Sequence, residues 1–443
     1  MYNSRLRAIV LLLMAFLIAS CSNTPSGNID DTDNDDVGNT PVISADCESG
    51  LAGEYPCSNV NLLAHIPVAD LLGERLNDIW GWTDTQTGKE YALVGMTDRV
   101  TFVDISTPTQ PLVIGTLPES INNKMKSSAS KNLYDEEENS TWRDVKVYKD
   151  HAFIVSDGQP HGLQVFDLTQ LRGIEEPPVT FTENVHFTAF GNAHNIAINE
   201  ESGYAYVAGS NQVGGGLYIL DISDPLNPVF AGSHADSSVG FARSTPNGTS
   251  PTGYVHDTQC VIYNGPDIDY VGDEVCFNSS ETHLVIANVT DKSSTVTIGK
   301  SDYSGQSYAH QGWLTEDHQY FLLDDELDES NIGTQTTTYI WDVKDLENPM
   351  LIGTYTGESN SIDHNLYVRD NHVYQANYTS GLRILNLDDI SSGNLSEVAF
   401  FDTYPLDNAT RFDGAWSNYP YFESGIVIVS DISNGLFILS PQL

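Results

Sequence analysis

Seven copies of one short pattern, an alternating apolar strand ending in a polar residue, run along most of the 443-residue chain. They read Val100-Thr101-Phe102-Val103-Asp104, Leu163-Gln164-Val165-Phe166-Asp167, Leu217-Tyr218-Ile219-Leu220-Asp221, Leu284-Val285-Ile286-Ala287-Asn288, Thr338-Tyr339-Ile340-Trp341-Asp342, Leu382-Arg383-Ile384-Leu385-Asn386 and Leu436-Phe437-Ile438-Leu439-Ser440. Successive copies stand 63, 54, 67, 54, 44 and 54 residues apart. Such recurrence marks a repeat architecture, in which each unit cannot bury its apolar faces alone. The third repeat shows the unit. His194 to Asn199, Tyr204 to Gly209, Leu217 to Ile222 and Pro228 to Ser233 read as four short strands with turn-forming residues between them, an antiparallel meander. Twenty-two Tyr and many Val/Ile/Thr runs agree with strands rather than helices. The sequence therefore predicts an all-β fold, a seven-bladed β-propeller. The seventh copy stops three residues before Leu443, leaving no room for a fourth strand. Asn61-Leu62-Leu63-Ala64-His65-Ile66-Pro67 resembles the fourth-strand text Pro349-Met350-Leu351-Ile352-Gly353-Thr354-Tyr355, so an N-terminal strand is expected to complete the last blade and close the ring. An open solenoid would need capping repeats, for which the sequence gives no signal.

Residues 1–20 carry Arg5 and Arg7, the apolar run Ala8 to Ile18 and small residues before Cys21, the layout of a secretory signal. Ile18-Ala19-Ser20-Cys21 resembles a bacterial lipobox. The resemblance implies a lipidated Cys21 at the start of the mature chain, with Ser22 behind it suggesting the outer membrane or cell surface. The alternative is an ordinary signal peptide. The apolar run is shorter than the roughly 20 residues a spanning helix needs. Residues 21–46 include Asp30-Asp31-Thr32-Asp33-Asn34-Asp35-Asp36 and no Lys or Arg after Cys21, which reads as an extended acidic tether. A calcium loop is disfavoured there because Asp36 stands where an EF-hand-type loop needs Gly. The propeller domain is expected over 47–443.

Four further cysteines, Cys47, Cys57, Cys260 and Cys276, suggest disulfides in an exported chain, and proximity favours Cys47–Cys57 and Cys260–Cys276 over the other two connectivities. Neither pair has the C-x-x-C spacing of a zinc site. With 19 Lys plus Arg against 61 Asp plus Glu, the net charge is −42. Nucleic acid is thereby excluded as a partner. The membrane is expected as a partner only through the lipid anchor, with a protein, glycan or small molecule as ligand.

The strand motif resembles the LVIVD repeat. Trp142-Arg143-Asp144-Val145, Ala193-His194-Asn195-Ile196-Ala197-Ile198-Asn199, His256-Asp257-Thr258-Gln259-Cys260, His310-Gln311-Gly312-Trp313-Leu314 and Asp324-Asp325-Glu326-Leu327-Asp328 are together similar to the bacterial choice-of-anchor B family. The resemblance implies an exported domain held by one of several anchors and carries no catalytic residues. Asn288, Asn386 and Ser440 depart from the repeat's terminal Asp, which puts a uniform role for that residue in doubt.

In a propeller the first strand of each blade lines the channel. The starts of these strands are polar and aromatic: Asp78 and Trp80; Trp142, Arg143 and Asp144; His194 and Asn195; His256 and Asp257; His310, Gln311 and Trp313; Asp363, His364 and Asn365; Asp413 and Trp416. In register they converge on one channel mouth. Two readings compete. His194, His256, His310 and His364, with neighbouring carboxylates, would ligate a divalent metal, a transition metal or calcium, that is released as imidazoles protonate near pH ~6.5. Alternatively these groups satisfy one another and the strand edges at the blade junctions. Asp324, Asp325, Glu326 and Asp328 likewise read either as a solvated acidic loop or as a calcium site. Arg143 is expected to pair with a carboxylate, an anion site being the alternative. No G-x-S-x-G, H-E-x-x-H, P-loop or G-x-G-x-x-G occurs. The leading function is a surface-anchored binding or scaffolding module; the competing one is a metal-dependent hydrolase or lyase.

Overall fold

Each repeat motif forms the third strand of a blade, and its terminal residue shapes the turn that follows. The Oδ1 atoms of Asp104, Asp167, Asp221, Asn288, Asp342 and Asn386 each accept the backbone N–H two residues on, from Ser106, Thr169, Ser223, Thr290, Lys344 and Asp388. Asp and Asn serve equally because only a short side-chain acceptor is needed. At Ser440 the residue two positions on, Gln442, donates its N–H to the Asn59 carbonyl instead. The turn role thus extends to Asn288 and Asn386 but not to Ser440.

The computed structural model describes residues 44–120, 142–245 and 248–443. Cys21, residues 1–20 and nearly all of the 21–46 tether lie outside the described residues. Seven antiparallel meanders form seven blades. Their innermost strands are Leu76–Asp84, Arg143–Tyr148, Asn195–Asn199, Asp257–Ile262, Ala309–Leu314, Asn365–Arg369 and Ala415–Tyr419. Each packs against the next, and Ala415–Tyr419 packs against Leu76–Asp84, so the ring is closed. Val60–Ile66 pairs antiparallel with Gly435–Pro441 as the fourth strand of blade seven. Just before it, the hairpin of Leu51–Ala52 and Tyr55–Ser58 extends blade six, pairing Cys57 with Phe401. Cys47–Cys57 ties this segment together, and Cys260–Cys276 joins directly opposed residues of the first two strands of blade four.

Burial explains the near-continuous apolar text of strands two and three. A blade is covered on both faces, and a separate apolar layer fills each of the seven gaps between neighbouring blades. The gaps are tight. In strand four of blades one, three, four and five, Gly115, Gly232, Gly299 and Gly353 sit beside a register shift. A Cβ there would meet a carbonyl oxygen of the following blade's connection at 2.1, 1.7, 1.9 and 2.2 Å. Blade six has Ala399 at this position, facing blade seven.

Candidate functional site

All innermost strands run the same way, so their first residues share one mouth of the channel. The mouth is lined by Asp78, Trp142, Arg143, His194, Asn195, His256, His310, His364, Asn365 and Trp416 around a cavity of only ≈ 10 Å³. That is room for about one water or one ion. Six rings form an arc, each delivered by a different blade: His194 to His256 to His310 to His364 to Trp416 to Trp142, with centroid separations of 4.4, 4.2, 4.4, 4.3 and 4.4 Å.

Each imidazole is anchored from behind. His256 Nδ1 lies 2.8 Å from the His310 carbonyl oxygen and His364 Nδ1 lies 2.5 Å from that of Trp416. A carbonyl only accepts, so Nδ1 carries the proton and Nε2 presents a lone pair to the channel. His310 Nδ1 lies 3.1 Å from Asp324 Oδ1, which also accepts the Gln311 N–H. Burial disfavours the charged form of these imidazoles: it lowers His364 to about 3 and, with neighbouring ring charge adding to it, lowers His256 and His310 well below the ordinary range. His194 differs. Burial alone would lower it, but the Asp157 carboxylate 2.8 Å from Nδ1 raises it to about 9. The Asp157 carboxylate thus favours the imidazolium form at neutral pH.

Glu326 completes the centre. Its Oε1 accepts from Tyr378 Oη at 2.7 Å and lies 3.6 Å from His364 Nε2, while Oε2 lies 3.7 Å from His310 Nε2. Burial pushes its carboxyl up to about 7. Among the described residues, His310, Glu326 and His364 are the group whose ligand atoms all lie within 4.8 Å of one another, a spacing one ion spans. Two imidazoles and a carboxylate, with the imidazole Nδ1 atoms held from outside, are a donor set for a divalent transition metal rather than calcium.

Several sequence candidates lie elsewhere. Asp144 accepts the Ile196 N–H, and Gln311 bonds both the N–H and C=O of Leu366, so both join neighbouring blades. Asn195, at the mouth, donates in the same way to the His256 carbonyl. Trp80, Asp257 and Trp313 line a second cavity, one to three residues further along the inner strands than Asp78, His256 and His310. Asp413 accepts from Ser433 Oγ and the Gly414 N–H in a surface turn. Arg143 is buried and pairs with Glu119 at 3.3 Å, with further bonds to the Met96 carbonyl and to His161 Nε2. The expectation of a solvated acidic loop is corrected: Asp324, Asp325, Asp328 and Glu329 are 1, 0, 0 and 3% exposed, folded in behind the imidazoles. Asp325 is held by Tyr303 Oη and by the N–H groups of Ser307 and Tyr308, which makes it a loop-fixing acceptor. Asp363 is buried beside these acids, and desolvation followed by the Glu329 charge pushes it well up.

Residues 190–236, which cover blade three and include His194, match the LVIVD repeat. The chain is a seven-bladed β-propeller with one stretch that matches the LVIVD repeat. No curated protein matches it. Among solved structures this LVIVD-repeat propeller is similar to a protein from Lactobacillus plantarum, at 14% identity over 81% of this chain and 89% of that one, with a TM-score of 0.48. It is also similar to the β-propeller domain of Cps50 (Swd1) from Myceliophteria thermophila, at 10% identity over 83% and 98% of the two chains, again with a TM-score of 0.48.

Proposed function

We propose that this LVIVD-repeat propeller is an exported, envelope-anchored binding module whose channel mouth holds a divalent transition metal on His310, His364 and Glu326. The observation that carries the reading is the meeting of three ligand atoms within 4.8 Å, on imidazoles whose Nδ1 atoms are engaged outside the channel. His256 Nε2, next in the arc, is a further neutral donor. Three protein ligands leave a coordination position open, through which a partner or small molecule offering a lone pair would be captured. His194 favours a second reading, a metal-dependent hydrolase or lyase, because its imidazolium stands at the same mouth and can donate a proton. Two disulfides fit an exported chain, and no helix among the described residues is long and apolar enough to cross a membrane. The similarity to choice-of-anchor B proteins and the lipobox support attachment through a lipid on Cys21.

Metal analysis of the purified, undialysed full chain is the direct test. About one equivalent of a transition metal is expected, lost in the His310→Ala/His364→Ala variant with the melting curve retained. A wild-type chain that neither carries such a metal nor takes one up from added Zn²⁺ would overturn the reading. Substrate turnover lost with the metal would select the enzyme.

A further inference from the structure

The opposite end of the channel holds a larger cavity, about 370 Å³. Lys146 lines it, and its Nζ pairs with Asp144 and lies 3.2 Å from Asp78, a residue of the histidine mouth. Blades five, six, seven and one give this cavity an aromatic wall. The Tyr367 ring stands edge-on, 5.7 Å from Trp80 and 5.0 Å from Trp313, and Tyr419 stands 5.0 Å from Trp80. Blades three and four supply further lining, with Glu200 and Glu201 exposed in the turn after Asn195–Asn199 and Asp257 at the start of the next inner strand. Among the described residues, the Glu200 and Glu201 side chains make no ion pair.

Charge decides what fits. Three carboxylates and one ammonium line the cavity, and that ammonium is already paired with two further carboxylates, so an anion would be repelled. Aromatic faces carry negative potential and attract cations, and here the chain itself stacks one: Lys146 Nζ sits 4.6 Å from the centroid of Trp80. A neutral sugar would stack on the aromatic wall and donate hydroxyls to the acids, but it would gain nothing from their net charge, which favours a cation. We propose that this cavity binds a small organic cation, an alkyl- or quaternary ammonium group, seated against the aromatic wall with its charge toward Glu200 and Glu201. The volume lies in the range of small-ligand pockets, roughly 300–1,000 Å³. The site is independent of the metal centre at the other mouth.

The test titrates the full chain with choline and with its uncharged isostere 3,3-dimethyl-1-butanol, following tryptophan fluorescence and heat. Choline should bind saturably, and the isostere at least about tenfold more weakly. Glu200→Gln combined with Glu201→Gln, both in an exposed turn, should weaken choline by about tenfold and flatten its salt dependence. Trp313→Ala should abolish binding; if its melting curve shows that it misfolds, the glutamate variant carries the test. Chelator-treated protein should bind choline equally well. Equal affinity for the isostere, binding of glucose in place of choline, no saturable choline binding at millimolar concentrations, or loss of binding on chelation would each overturn the proposal.

Discussion

Glu326 is the group that sets how the metal mouth responds to pH. From the sequence, metal release was expected to follow imidazole protonation near pH ~6.5. Burial moves the imidazoles far below that, with His364 at about 3, and moves Glu326 up to about 7. A carboxyl with a raised value holds its proton as pH falls below it, and a metal must displace that proton to bind. Apparent metal affinity should therefore fall by about tenfold per pH unit below about 7, the slope for one competing proton. Competition against a chromogenic chelator between pH 8 and pH 5 measures it. In Glu326→Gln the affinity at pH 8 should drop and the slope should flatten; a slope that survives the substitution would mean that an imidazole titrates there instead. The role of Glu326 was hidden in the sequence because its neighbours Asp324, Asp325 and Asp328 look like a solvated acidic run. Only the fold shows that the run turns inward beneath His310.

The innermost strands show what a one-dimensional pattern can and cannot assign. Seven motif strands were legible because period-two apolar text repeated at blade spacing has few other solutions. The polar character of the inner-strand starts was legible too, but not which side chains face the channel. Alternation decides that, and a single slip reverses it. Such slips occur: the pairing shifts between Leu76 and Ile79, Ala309 and Gly312, and Ala415 and Ser417. Gln311 and Trp313 thus leave the mouth that His310 lines, the first into a blade junction and the second toward the far cavity. Gln311 is 1% exposed, and its amide satisfies both backbone groups of Leu366. Gln311→Ala would strand a buried donor and acceptor, at about 1–3 kcal/mol each. Denaturant unfolding should show a loss of about 2–6 kcal/mol, with metal content unchanged in the folded fraction. A stability change below about 0.5 kcal/mol would contradict the role of this side chain as a joint between blades five and six.

At the scale of the whole ring, the N-terminal segment does more than the repeat count required. The shortage of a fourth strand in blade seven was readable from the chain end, whereas the preceding hairpin on blade six was not, since its two- and four-residue strands carry no periodic signal. Together they cover the outer edges of two neighbouring blades: Tyr55–Ser58 on Ser396–Phe401, and Val60–Ile66 on Gly435–Pro441. Val60, Leu62, Ala64 and Ile66 are 0, 1, 0 and 7% exposed, split between the apolar layers on either side of blade seven. Burial of the three larger side chains contributes about 1.5–3 kcal/mol each. That is of the same order as the whole net stability of a domain, about 5–15 kcal/mol. Deleting residues 59–67 should therefore do more than lower the melting temperature: it leaves Gly435–Pro441 as an unpaired edge that can recruit a strand from another molecule. Size-exclusion chromatography should show aggregates or a broadened profile, and thermal melting should lose cooperativity. A deletion variant that stays monodisperse with an unchanged melting curve would mean that the ring is held by its inner strands alone and that this fourth strand is dispensable.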